Sequence, residues 1–197
     1  MVTEENKTLA RLAVSAFGVE WSEVGAWSIT EYRDANETLA VDILSCVKTP
    51  AVGVNTYSTI GLSAHPMYQD GKEFPVRLEI VGCCKSTVEW FPNLLASAAF
   101  YVMREGWICS PGSVLQNAVD EYAPGSAMRH LYFTAPFMWA EKLGSVQLPT
   151  RKVAWLLAVP ISEAEYKYCK KYGDGALEHL LEIKEVDFFD IERASVV

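Results

Sequence analysis

The sequence lacks the short motifs that mark the common nucleotide-binding, hydrolytic and metal-dependent sites. It contains no GxSxG, GxGxxG or GxxxxGK[ST], and His65, His130 and His179 do not form HxxxH or HExxH. Its five cysteines are an odd number without CxxC spacing, which disfavours a disulfide framework and a zinc site. We therefore predict no cofactor, no metal, and thiols kept reduced as they are in cytoplasm.

Basic residues are also scarce. Seventeen Lys and Arg against twenty-five Asp and Glu leave a net charge of −8, and the pI is about 4.9. A nucleic-acid-binding protein normally needs a basic patch, so this balance argues against that class and permits a basic protein partner. No run approaches the roughly 18 apolar residues of a membrane span. Residues 1–7 lack the pattern of a secretion signal, so we expect a cytoplasmic protein without membrane contact.

The chain is otherwise typical of a globular protein, since half of its residues are hydrophobic and 12% are aromatic. Alternating or β-branched runs predict six strands, the last of them buried on both faces: 27–32, 39–44, 54–60, 77–81, 130–134 and 153–159. Apolar residues at helical spacing predict four helices: 4–17, the segment from 86 to Gly106, 162–172 and 176–185. We predict an α+β fold with a central mixed, largely antiparallel sheet and helices packed on it, as a single domain over residues 1–197.

Two of these helices begin with a capping-box pattern, whereas the last residues of the chain predict an extended segment. Ser86-Thr-Val-Glu89 and Ser162-Glu-Ala-Glu165 have the spacing at which two side chains satisfy free amides of the first helical turn. The tail, residues 187–197, is apolar enough to pack as a final extended segment.

A cysteine nucleophile is the one catalytic arrangement that the residue types permit. Cys84 with His65 or His130 as base would form a thiolate–imidazole pair. A reactive thiol needs an electropositive, partly open setting, whereas Cys84 ends an apolar strand. Because free cysteine is among the most buried residue types, we interpret the cysteines as core residues.

The distribution of acidic residues is more informative. From Glu163 to Arg193 there are nine acids and five bases, and Glu178, Glu182 and Glu185 have the spacing of one helical face. These acids form either an ordinary solvated surface or a docking surface for a basic partner. On the second interpretation the candidate partner-binding residues are Glu178, Glu182, Glu185, Asp187 and Asp190.

Several segments, in this order along the chain, resemble the suppressor-of-fused (SUFU) domain family. They are Thr56-Tyr-Ser-Thr-Ile-Gly-Leu-Ser63 with His65-Pro66, Arg77-Leu-Glu79, Val159-Pro-Ile-Ser162 with Glu165, and Asp190-Ile-Glu-Arg193 with Ser195-Val-Val197. The start, with Glu5-Asn-Lys7 and Ala16-Phe-Gly18, and the end are similar to the bacterial single-domain members, which include antitoxin or immunity proteins of polymorphic toxin systems.

The resemblance implies binding and not catalysis. The animal relatives hold a transcription-factor peptide as an added strand between two domains, and this chain is too short for the second domain. No partner-binding residue is therefore transferred by position. The motif residues are expected to serve the fold: Gly61 in a turn, Ser162 with Glu165 in a helix cap, and Arg77 or Arg193 beside carboxylates.

The leading hypothesis from the sequence is an immunity protein that neutralises a cognate toxin, with a nuclease as the favoured class. A nuclease presents a basic cleft to phosphate, which a negatively charged inhibitor complements. The candidate aromatic anchors are Trp21, Trp27, Tyr68 and Trp139. The alternatives are a regulatory module that binds a peptide along an open sheet edge and a cysteine hydrolase that uses Cys84.

Overall fold

The computed structural model describes residues 3–197 and contains four α-helices and ten strands in that range. The helices are α1 (Glu4–Ala16), α2 (Phe91–Glu105), α3 (Glu163–Tyr172) and α4 (Asp174–Ile183). The longer strands are β1 (Trp27–Arg33), β2 (Ala40–Val47), β3 (Val54–Ile60), β6 (Arg77–Lys85), β8 (Met128–Thr134) and β10 (Lys152–Ser162). The two-residue strands are β4 (Tyr68–Gln69), β5 (Lys72–Glu73), β7 (Val114–Leu115) and β9 (Val146–Gln147).

Eight of the strands form one mixed sheet in the order β1-β2-β3-β6-β10-β8-β7, with β9 beside β10. The central pair, β6 and β10, is parallel, with Val153 facing Arg77 and Leu157 facing Val81. The other pairs described in this sheet are antiparallel. The predicted α+β class and the mixed, largely antiparallel sheet are confirmed, and all six predicted strands are present.

Strand β10 supplies side chains to two separate hydrophobic cores. Its odd-numbered residues, from Val153 to Ile161, pack in one core with α1, α3 and α4. Leu156 and Ala158 point the other way, into a core with α2. Successive side chains of a strand face opposite sides, so helices must cover both faces of the sheet. The predicted burial of this strand on both faces is confirmed.

Helix α2 lies very close to β6. A Cβ atom on Gly82 would come within 2.8 Å of the Phe91 ring, so this strand position has no room for a side chain. The capping box predicted at Ser86 and Glu89 is wrong. Helix α2 begins at Phe91, with Trp90 at its N-cap and no side-chain cap. Ser86 instead belongs to the turn that leaves β6, where its N–H donates to the Gly53 carbonyl oxygen at 2.8 Å.

The second predicted capping box is confirmed and anchors the end of the chain. Ser162 accepts from the Glu165 N–H, and Glu165 accepts from the Ser162 N–H. The same carboxylate accepts two hydrogen bonds from the Arg193 guanidinium, at 2.7 and 2.9 Å, and one from the Val196 N–H. Burial alone would raise the pKa of Glu165, but these donors together hold it below the ordinary value.

The prediction for the tail is confirmed in part: the tail packs on the fold, but residues 188–192 form turns instead of an extended segment. Residues 187–197 contain turns and no strand, because Asp187 and Asp190 start turns that reverse the chain locally. The segment is nevertheless attached to the fold. Ile191 is buried, and the Phe189 carbonyl oxygen accepts from the Lys85 N–H at 2.9 Å.

The family-like segments around β3 and β6 meet at a buried carboxylate. Glu79 is fully buried and accepts from the Thr59 hydroxyl and from the backbone N–H groups of Gly61 and Ser63. Burial raises the pKa of Glu79 despite these hydrogen bonds. Gly61 has φ of +99°, a conformation that favours glycine, so the expected turn is confirmed. Glu79 therefore stabilises the fold by connecting β6 to the end of β3 and to the turn that follows β3.

We predict that Glu165→Ala lowers the free energy of unfolding by about 3–5 kcal/mol, because it leaves the Arg193 guanidinium buried without its partner. Lys167→Ala, which removes an exposed i,i+4 ion pair with Glu163, should have a much smaller effect because solvent screens both charges. Urea denaturation at neutral pH measures both.

The same substitution should show a defined pH dependence. Because the folded-state pKa of Glu165 is lowered, its stabilisation is complete above the ordinary value of 4.5 and is lost as the pH falls through the folded-state pKa. The difference between wild type and Glu165→Ala should therefore shrink in acid. A difference that stays constant from neutral pH to acid would contradict the role of the ionised carboxylate.

Candidate functional site

Two of the five candidate acids, Glu178 and Glu182, lie one helical turn apart on α4. The prediction that Glu185 shares their helical face is wrong, because the helix ends at Ile183. Glu185 has φ of +48°, its N–H donates to the Glu182 carbonyl oxygen, and the next N–H donates to that of Leu181. This pattern of hydrogen bonds is a Schellman motif, here without the glycine that usually marks it.

The carboxylate of Glu178 is held by the sheet beneath it. The Tyr132 hydroxyl donates to its Oε1 at 2.9 Å, and the Thr134 hydroxyl donates to the same oxygen. Burial, and then the hydrogen bond to Glu178, raise the pKa of Tyr132 strongly, so the phenol remains a donor. Within residues 3–197, Oε2 accepts no hydrogen bond from the protein. One oxygen is thus fixed and the other is free.

Both acids line a cleft of about 500 Å³ between α4 and the sheet, which we call the α4 cleft. Its lining residues are Tyr132, Thr134, Ala135, Phe137, Val159, Gly175, Glu178, His179, Leu181, Glu182 and Phe188. Phe137 is 49% exposed and meets the Phe188 ring edge-on, with centroids 5.4 Å apart. The cleft therefore combines apolar walls with two carboxylates.

The other three candidate acids lie outside this cleft. Glu185 and Asp187 are exposed, and Asp187 accepts from the Phe189 N–H at 3.0 Å. Asp190 forms an ion pair with Lys85 at 2.6 Å, which lowers its pKa. It lines a different cavity, of about 800 Å³, beside the turn after β6. The structure thus brings Glu178 and Glu182 together and leaves the other three apart from them.

The candidate aromatic anchors differ in exposure. Trp21 is 38% and Tyr68 is 54% exposed, and Trp27 stacks on Trp21 with centroids 4.0 Å apart. Trp139 is buried against Phe17 in the core, so its proposed place on the surface is wrong. Phe137, two residues earlier, is the exposed ring here and is not among the predicted anchors. The 3₁₀ turn Phe137–Trp139 directs the Phe137 ring to solvent and the Trp139 ring into the core. In the sequence, the signal for this turn is Pro136.

Strand β1 forms an open edge of the sheet. It pairs with β2 on one side, and no described strand pairs with its other side. Most of its side chains are exposed, among them Ile29. An unpaired row of N–H and C=O groups can accept an added strand, so the geometry required by the peptide-binding alternative is present.

The residues suggested for a cysteine nucleophile do not form a catalytic pair. Cys84 is fully buried, burial raises its pKa to about 12, and the partner of its Sγ is the Val88 carbonyl oxygen. His130 accepts from the Asn117 N–H through Nδ1, and its Nε2 lies 2.8 Å from Glu163. Burial, followed by the Arg77 charge, lowers the pKa of His65. A buried thiol without a base is not activated.

Within residues 3–197, no three His, Cys, Asp or Glu side chains form a group that could hold a metal ion. None of the described helices is both long enough and apolar enough to span a bilayer.

Comparison with known sequences identifies relatives of this chain. The sequence model of the family Suppressor of fused protein (SUFU) matches residues 37–194. The chain is also 38% identical over 196 residues to Immunity protein YqcF of Bacillus subtilis strain 168, in an alignment that covers 100% of this chain and 99% of that protein. The resemblance predicted from the sequence is confirmed.

Solved structures share the fold at lower sequence identity. A SUFU homologue from Neisseria gonorrhoeae FA 1090 has a TM-score of 0.70 and 16% identity, covering 98% of this chain and 96% of that chain. The Sufu–Fu complex has a TM-score of 0.64 and 14% identity, with coverages of 96% and 91%. Drosophila Suppressor of Fused has a TM-score of 0.61 and 14% identity, and the match covers 95% of this chain and 50% of that one.

We predict that none of the five cysteines reacts rapidly with iodoacetamide in the native protein at neutral pH, because all five thiols are buried. In guanidinium chloride all five should be alkylated, which provides the control. Mass spectrometry of the two samples gives the count. A single rapidly modified cysteine in the native sample would revive the hydrolase hypothesis.

Proposed function

Since this chain belongs to the Suppressor of fused (SUFU) family, we propose that residues 1–197 form one SUFU-like domain that acts as an immunity protein, binding a cognate toxin in a stoichiometric complex. The observation that carries the proposal is the 38% identity to Immunity protein YqcF over nearly the full length of both chains. The structural neighbours include the Sufu–Fu complex, which supports a role in binding another protein.

We favour a nuclease as the toxin and the cytoplasm as the place of action. The net charge of −8 complements the basic cleft that a nuclease presents to phosphate. Electrostatic complementarity of this kind accelerates association and selects the partner. An inhibitor that covers such a cleft needs no catalytic group of its own, in keeping with the buried cysteines.

The proposed contact surface consists of α4 and the segment that follows it, with Glu178, Glu182, Glu185, Asp187 and Asp190 as its acids. The first four are exposed, so their charges reach a partner. Asp190 contributes less because Lys85 already neutralises it. Exposed Phe137 beside the acids supplies an apolar anchor of the type that dominates binding energy in protein interfaces.

A second function, peptide binding along the edge of β1, has one observation in its favour. The outer side of this seven-residue strand is unpaired in the described structure. Main-chain hydrogen bonds would supply most of the affinity, so the binding would depend little on salt.

We predict that the protein co-purifies with the product of the gene adjacent to its own and abolishes the toxicity and nuclease activity of that product at a 1:1 ratio. Affinity purification after co-expression, followed by a nuclease assay with and without this chain, tests both parts. Absence of binding and protection for every neighbouring gene product would refute the proposed function. Binding and protection without nuclease activity would refute only the assigned toxin class.

We also predict that the association rate with that toxin falls at least about tenfold between low salt and ~0.5 M NaCl, because screening removes the electrostatic attraction. Stopped-flow fluorescence at several ionic strengths measures the rate. A rate that is independent of salt would instead favour binding along the edge of β1.

A further inference from the structure

We infer that the α4 cleft receives one arginine side chain of the toxin, whose guanidinium group binds Glu178 and Glu182 while its methylene stem lies against Phe137 and Phe188. The inference rests on the proposed function and adds the place and the chemistry of the central contact. It follows from the charges that line the cleft, from the hydrogen bonds that hold Glu178 and from the apolar walls.

The two carboxylates are placed together without a cation. Glu178 and Glu182 lie at i and i+4 on α4, where side chains of like charge repel each other. Neither forms an ion pair within residues 3–197. The third titratable group on α4 that lines the cleft is His179, and Tyr132 faces Glu178 from β8. A cation from a partner would relieve the repulsion.

Glu178 is held in position before any partner arrives. Its Oε1 accepts from the Tyr132 and Thr134 hydroxyls, which come from the buried strand β8. A charged acceptor that is already oriented loses little side-chain freedom on binding. Its free Oε2, with the carboxylate of Glu182 one turn away, offers acceptors to a planar donor with several N–H groups.

The walls of the cleft favour arginine over other basic groups. Phe137 and Phe188 form an aromatic side, and Val159 and Leu181 add aliphatic surface. A guanidinium group holds several N–H donors in one plane and binds carboxylates through two parallel hydrogen bonds, which a lysine ammonium does not do, and its methylene stem packs on the aromatic rings. A volume of about 500 Å³ accommodates a long side chain together with its neighbouring backbone.

The test compares two variants that remove one charge each. Glu182→Gln neutralises a cleft acid, and Glu105→Gln neutralises an exposed acid at the end of α2, on the opposite face of the sheet. We expect Glu182→Gln to raise the Kd for the adjacent-gene toxin about tenfold. Glu105→Gln should raise it less than about threefold. Isothermal titration calorimetry measures both, and circular dichroism confirms that both variants are folded. Equal effects of the two variants would overturn the inference and leave the immunity function intact.

A second measurement keeps the inference testable if the toxin fails to bind. Nα-acetyl-arginine methylamide is titrated into the protein, with the uncharged citrulline analogue as a control, while NMR follows the Glu182 amide and the Phe137 ring. We expect arginine, and not citrulline, to shift these signals in the wild type, with a smaller shift in Glu182→Gln. Equal shifts for both probes, or none, would overturn the cleft site whatever the fate of the proposed function.

Discussion

The burial of β10 on both faces is the constraint on which the rest of the structure depends. The side chains of this strand are apolar on both of its faces, so both faces must be covered. Helices therefore lie on both sides of the sheet. Its neighbours β6 and β8 are buried for the same reason. Helix α3 begins directly where β10 ends, and the Ser162–Glu165 capping box with Arg193 fixes the direction of the chain at that junction. The position of α4, and of the cleft beside it, follows from this junction.

The cleft therefore rests on strands whose side chains belong to both hydrophobic cores. Tyr132 and Thr134 lie on β8 directly opposite Val159 and Leu157 of β10, and their hydroxyls reach Glu178 from a strand that cannot move without disturbing both cores. A carboxylate supported in this way is oriented by the fold itself, and such pre-organisation would reduce the entropy lost on association with a partner. Phe137, in the turn after β8, is placed by the same strand.

Patterns that depend on neighbours in the chain could be predicted, and those that depend on distant contacts could not. The alternation within β10 and the capping box at Ser162 are local, so the sequence alone identifies both. Ser86 has the same local pattern, but its N–H is taken by Gly53 from another part of the chain, and α2 starts later. The end of α4 was missed because Glu185 occupies a left-handed position usually marked by glycine. Whether Phe137 or Trp139 faces solvent depends on the packing of Trp139 against Phe17, which no local pattern encodes.

Among the carboxylates of the chain are two groups that the net charge does not distinguish. Glu79, Glu165 and Asp34 are buried, and each accepts hydrogen bonds that hold a turn or a helix end, so they serve the fold. Glu182 is exposed and forms no ion pair within residues 3–197, so its charge remains for a partner. Glu178 belongs to both groups, since one oxygen binds the sheet and the other is free. Binding and stability are therefore separable at Glu182 and coupled at Glu178, and a toxin that engages both would stabilise the junction between α4 and the sheet through Glu178.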